Sequence, residues 1–142
     1  MTNDELALGL RPGGLLAVSC YIGERRHAFA AARLALVNEA LDGIPLRFRF
    51  DDPRPVTLPD AGEIAPFRAV RSNDIVAVAT ARFDTVEAAY ASRLFPLLLH
   101  LDVPALERDA PELLDALLAR DQALAADPNA TPCAAHLILR RR

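Results

Sequence analysis

All 16 basic residues of this 142-residue chain are arginine, and none is lysine. Guanidinium groups suit the gripping of carboxylates and phosphates, because their fork of donors meets two anionic oxygens at once. Two pairs stand out. Leu46-Arg47-Phe48-Arg49-Phe50 alternates apolar and basic residues. That predicts a half-buried strand with Leu46, Phe48 and Phe50 facing a core and Arg47 and Arg49 on the other face. Beside Tyr21 and His136 the pair makes a candidate clamp for a small anion, with His136 or Tyr21 to move a proton. The preferred reading is structural: arginines that cross an interface or stay wet. Arg25 and Arg26 follow Gly23 where a helix is expected to begin. Positive charge there opposes the helix dipole, while free N–H groups at such a terminus already attract anions. Local rules tend to break at functional sites, which makes the pair a candidate anion site. The preferred alternative leaves both side chains in solvent or pairs them with Glu24 or an acidic loop.

The remaining reactive side chains give weaker patterns. Cys20 and Cys133 are the two cysteines. Arg25, Arg26 and His27 could make a thiol reactive, but a free cysteine more often behaves as a small buried hydrophobe. His27, His100 and His136 have no ligand spacing with one another or with the cysteines, so no metal is expected. His100 reads as a capping or core histidine. Asp51-Asp52 has the composition of an acid–base pair, yet beside Pro53 it reads as a turn. Arg140, Arg141 and Arg142 read as a solvated tail.

The formal charge of −3 argues against duplex nucleic acid, which calls for a basic footprint. The acidic start, Met1 to Glu5, lacks the basic region of a signal peptide, and no apolar run reaches the roughly 20 residues of a membrane span. The expected location is cytoplasmic, with reduced thiols. The missing lysine reads as codon bias in a GC-rich genome.

The elements that must position these residues follow from periodicity. Residues 1–14 form a lead ending in the turn Arg11-Pro12-Gly13-Gly14. Leu15 to Ile22 reads as a buried strand. The helix after it carries Phe29, Ala32, Leu36 and Ala40 on one stripe, widened by Leu34, Val37 and Leu41, with Arg33, Asn38 and Glu39 in solvent. Residues 51–72 are a long Pro-rich loop, with a short strand possible at Val56–Leu58. Ile75 to Phe83 reads as a strand. Asp84 with Glu87 resembles a capping box opening a helix from Thr85 to Pro96. A short helix from Asp102, a leucine-faced helix from Pro111 and a last strand from Cys133 to Arg140 complete the chain.

Strand–helix–strand–strand–helix–strand is the order of a ferredoxin-like α+β sandwich, with sheet order 4-1-3-2 and helices on one face, in a single domain spanning 1–142. The alternative is a Rossmann-like α/β fragment. Leu10-Arg11-Pro12-Gly13-Gly14 before an apolar strand resembles the proline-glycine-glycine turn of class I S-adenosylmethionine methyltransferases. That likeness covers about a tenth of the chain. The family's glycine-rich cofactor turn would lie upstream, where the sequence has none, so neither activity nor cofactor is carried over.

In the sandwich, Val18, Cys20, Ile22, Phe48, Phe50, Leu137 and Leu139 point under the helices. Ser19, Tyr21, Arg47, Arg49, Val76, Val78, His136 and Ile138 occupy the open face. Three of those eight side chains are aliphatic, which calls for a cover, either the long Pro-rich loop or, as expected, the same face of a second copy. The function expected is a non-catalytic binding or accessory module that homodimerises through its sheet, with a protein or a small anion as a possible further partner and no cofactor. The alternative is an enzyme acting on a small anionic metabolite between the two sheets.

Overall fold

The computed structural model describes residues 9–50, 56–57 and 70–142. Asp51, Asp52 and most of the Pro-rich connection lie outside the described residues, as does the start of the acidic lead. The described chain is α+β, built around a three-stranded antiparallel sheet.

Pro12 and Gly13 set up the first strand. Gly14 N–H donates to Arg11 O at 2.8 Å, and Gly13 has φ +76°. Proline followed by a residue with positive φ is the signature of a type II turn, and glycine meets that requirement without strain. Strand β1 (Leu15–Tyr21) follows. It pairs along its length with β3 (Ala134–Arg141), whose other side pairs with β2 (Phe83–Ala91). The order is β1-β3-β2, with β3 in the centre. The alternation read from the sequence holds on β1 and β3. Ala135, Leu137 and Leu139 are buried with Phe83, and Leu10, Leu16, Val18 and Ile22 pack on them. Ser19, His136 and Ala17 face out and are exposed.

The helices are α1 (Ala31–Asp42), α2 (Ile75–Arg82), α3 (Val103–Asp109) and α4 (Pro111–Ala123). Val76 and Ala79 of α2 lie on the sheet's buried face. The other three helices, with the 3-10 segments Leu46–Phe48 and Phe95–His100, enclose a second core around Val37, Leu41, Phe48, Leu97, Leu101 and Leu106. Each large apolar side chain buried there contributes about 1.5–3 kcal/mol.

Three expected elements are replaced, and with them the ferredoxin-like order. The stretch expected as a strand at Ile75 to Phe83 is α2, and the stretch expected as a helix from Thr85 is β2. Val76 and Val78 are therefore helical residues rather than members of a sheet face. Alanine at alternate positions makes Ile75–Arg82 a competent helix former despite its β-branched residues. Phe83–Ala91 is a strand because central β3 needs ladder partners on both sides, and pairing overrides the helix preference of Glu and Ala. The apparent capping box is an edge instead: Asp84 binds Arg142 at 2.8 Å.

Leu46–Phe48 is a 3-10 turn, not a strand. Phe48 is buried and Arg47 exposed as expected, but the other three are reversed, with Leu46 59% and Phe50 68% exposed and Arg49 only 8% exposed. The cause is the end of α1. Arg49 donates to the carbonyls of Leu41, in the last turn of α1, and Ile44, just beyond it, where carbonyls retain acceptor capacity. Arg33 and Asn38 also leave their expected solvent positions. Asn38 brackets Val56 through both of its backbone groups, at 2.7 and 3.1 Å. Arg33 is buried.

Candidate functional site

The densest polar arrangement lies where β1 ends, α1 begins and the chain approaches β3. Gly23 and Glu24 form its turn. The Glu24 carboxylate accepts from Ala30 N–H at 3.2 Å and from Arg33 Nε at 2.7 Å. Arg33 also donates to Arg93 O at 2.5 Å and to Thr131 Oγ1 at 2.8 Å. One guanidinium thus ties four stretches of chain together. Its side chain is 4% exposed and its partner's 19%. The carboxylate sits at the head of α1, where the helix dipole favours negative charge.

Tyr21 and Cys133 close over this pair. Tyr21 OH donates to Glu24 O at 3.2 Å, and Cys133 Sγ lies 3.9 Å from Glu24 Oε2. Packing is tight enough that a Cβ on Gly23 would stand 2.5 Å from Tyr21 OH and 2.8 Å from Cys133 Sγ. Burial pushes the Glu24 carboxyl up, but hydrogen bonds from Arg33 and the backbone, with the Arg33 charge, outweigh it and hold the group below its ordinary value. Burial pushes the Cys133 thiol up to about 12 and raises the Tyr21 phenol. Cys20 is raised as well, by its own burial. Glu24 is thus a carboxylate and Cys133 a neutral thiol. A neutral, enclosed thiol is a poor nucleophile, and the bonds of Glu24 and Arg33 make this cluster a polar pin between the sheet and α1.

The arginine pair beside it does not open a helix. Arg25–His27 is a 3-10 turn in which Arg26 and His27 adopt φ of 54° and 56°, and α1 starts only at Ala31. The anionic group at the head of α1 is Glu24 itself. Arg25 turns instead to Asn73 at 2.7 Å and Asp74 at 3.0 Å. Asp74 is held below its ordinary value by hydrogen bonds from Arg71 and Arg25. Arg26 is exposed. The His27 ring meets Tyr21 edge-on at 4.8 Å and stacks on Phe29 at 5.9 Å. A shallow depression of about 400 Å³ borders it, lined by Tyr21, His27, Arg71, Ser72 and Ile75.

His136 is where parity puts it, exposed on the open face and opposite Ser19 and Ala89. Around it a depression of about 300 Å³ is bordered by Ala17, Ser19, Glu87, Ala89 and Ile138. Tyr21 shares the parity of that face, but its hydroxyl is turned to Glu24. Arg47 and Arg49 are not strand residues and do not join them. Arg47 lies over its neighbour Phe48, 4.7 Å from the ring, and Arg49 is committed to the end of α1. The expected clamp of Arg47, Arg49, Tyr21 and His136 is therefore not assembled.

Sequence reasoning missed Glu24, Arg33, Thr131 and Asp121. Both carboxylate oxygens of Asp121 accept backbone N–H groups, from Leu94 at 2.7 Å and Ser92 at 3.1 Å. They border a leucine-lined groove of about 210 Å³ between α4 and the Phe95–His100 segment. Glu24 and Arg33 stand nine residues apart with a turn between them, a spacing with no local signature. Among the described residues, no group of three or more His, Cys, Asp or Glu could hold a metal ion, and no helix is long and apolar enough to cross a membrane. No family model, no curated protein and no solved structure matches this chain.

Proposed function

We propose that the protein is a cytoplasmic, non-catalytic binding or accessory module that pairs with a second copy through the open face of its sheet. The observation that carries this reading is that, among the described residues, helices cover one face of the sheet only. Helix α2 and Leu10 lie on the Leu137–Leu139 face, while Ala17, Ala89, Ile138 and Leu15, the last 57% exposed, stand on the other. Ser19 and His136 share this face, and Asp84, Glu87 and Arg140 add charge to it. Apolar and polar side chains mix in this way in interfaces between separately folded partners. A two-fold partner meets each such patch with its own copy.

Light scattering with Ile138→Glu tests the reading. The wild type is expected above the 15.4 kDa mass of one chain at micromolar concentration, with the variant at half the wild-type mass. A wild type that stays monomeric, or a variant of unchanged mass, refutes it.

A further inference from the structure

Strand β1 is an edge of the sheet, with no second strand beside it among the described residues. Two bonds fix which way its backbone points. Gly14 O accepts from Arg141 N at 2.9 Å, and Ile22 N donates to Cys133 O at 2.7 Å. Both residues are even-numbered, and the register between β1 and β3 runs without a break from Leu15 to Tyr21. Antiparallel ladders alternate with a period of two. Leu16, Val18 and Cys20 therefore direct their N–H and C=O groups to β3. Leu15, Ala17, Ser19 and Tyr21 direct theirs away from the sheet.

The two edges of the sheet differ in how they are guarded. Strand β2 carries Asp84 and Glu87 and a bulge between Thr85 and Glu87. Charges and bulges are the usual devices that stop an edge from recruiting another strand. Strand β1, Leu-Leu-Ala-Val-Ser-Cys-Tyr, has no charge, no proline and no bulge. Its buried side is also incompletely filled. Helix α2 packs over β2 and β3, leaving a groove of about 350 Å³ bordered by Leu16, Val18, Ile75 and Val78, with the Arg71–Asp74 ion pair at its rim.

We infer that β1 pairs antiparallel with β1 of a second copy about a two-fold axis through Val18, making one continuous six-stranded sheet. The strand is self-complementary in this register. Leu15 lies opposite Tyr21 of the second copy and Ala17 opposite its Ser19, so every outward group finds a partner in about eight backbone hydrogen bonds. No like charges meet, because the strand has none. Leu16, Val18 and Cys20 of each copy extend the apolar wall of the other's groove. This edge axis and the face axis of the preceding section use different surfaces. Operating together they give a tetramer of two six-stranded sheets packed back to back.

The test is a cysteine at the axis. Val18→Cys in a Cys20→Ser background is oxidised with diamide, which takes up the two thiol hydrogens as the disulfide forms. A pair opposite itself at a non-hydrogen-bonded site has the Cα spacing a disulfide needs. Covalent dimer is expected in high yield at micromolar concentration. It should persist with Ile138→Glu, which separates this edge from the face. It should vanish with Ser19→Pro, which removes an outward N–H and no bond to β3. Ala17→Pro gives the same result if Ser19→Pro does not fold. A yield no higher than that of exposed Ala77→Cys in the same background, or a yield unaffected by either proline, overturns the inference.

Discussion

Replacing Arg33 with methionine is the sharpest perturbation of the polar pin. Methionine keeps the aliphatic stem and removes the donors to Glu24, Arg93 and Thr131. Breaking a buried ion pair from one side costs about 3–5 kcal/mol, because the surviving charge remains enclosed. Glu24 keeps Ala30 N–H and has a side chain 19% exposed, so the lower end, about 3 kcal/mol, is expected. Urea unfolding followed by circular dichroism reads this directly. With a slope of about 1–3 kcal/mol per molar, the midpoint should fall by about 1–3 M. A domain with a stability of about 5–15 kcal/mol stays folded through that loss. Glu24→Gln with Arg33→Met should cost less than the two single changes added together, because residues in contact couple. A cost below about 1 kcal/mol, the range of exposed surface ion pairs in general, would refute the reasoning.

Other expectations follow from the same geometry. The Glu24 carboxyl titrates below its ordinary value of 4.5 in the fold, so its contribution is fully present above that pH and is lost as pH falls through the depressed folded value. Glu24→Gln should flatten that part of the acid-unfolding profile; an unchanged profile contradicts the assignment. Arg49→Met should destabilise by about 2–3 kcal/mol through the loss of charged bonds to helix-end carbonyls, whereas exposed Arg47→Met should cost under about 1 kcal/mol. Equal effects on the urea midpoint would restore the alternating-strand reading. Cys133, with its thiol pushed up to about 12, should resist a disulfide reagent at pH 8 until the protein is unfolded. Rapid labelling in the native state would show the site to be open.

Where periodicity, turn chemistry and burial agree, the fold was legible. The Pro12-Gly13 turn, β1, α4 and β3 each carry a local signal that the tertiary structure keeps; α1 forms only from Ala31, with Ala32 of the expected stripe exposed and Arg33 buried. The failures fall where two signals compete. In Ile75–Arg82 branched residues suggested a strand, and alanine with apolar positions at helical spacing prevailed. In Phe83–Ala91 a capping pattern and alanines suggested a helix, and the open side of β3 prevailed. Leu46–Phe50 alternates as well as any strand, yet Pro45 leads it into a 3-10 turn and the carbonyls of Leu41 and Ile44 around the end of α1 draw Arg49 inward. That demand belongs to another element and cannot be seen in five residues. Within the candidate site, the place of His136 and the shared parity of Tyr21 followed from alternation alone. The Glu24–Arg33 pin did not, because Arg33 sits at a helical position that reads as solvent until Glu24 folds back over it.

Relaxation of methyl signals by a soluble paramagnetic probe tests directly whether the open face is covered. Ala17, Ala89 and Ile138 methyls should be shielded at high protein concentration and should lose that shielding on dilution or with a charged substitution at position 138. If they are attenuated as strongly as the methyl of exposed Ala77 at every concentration, the face is bare in solution and the proposed pairing is wrong.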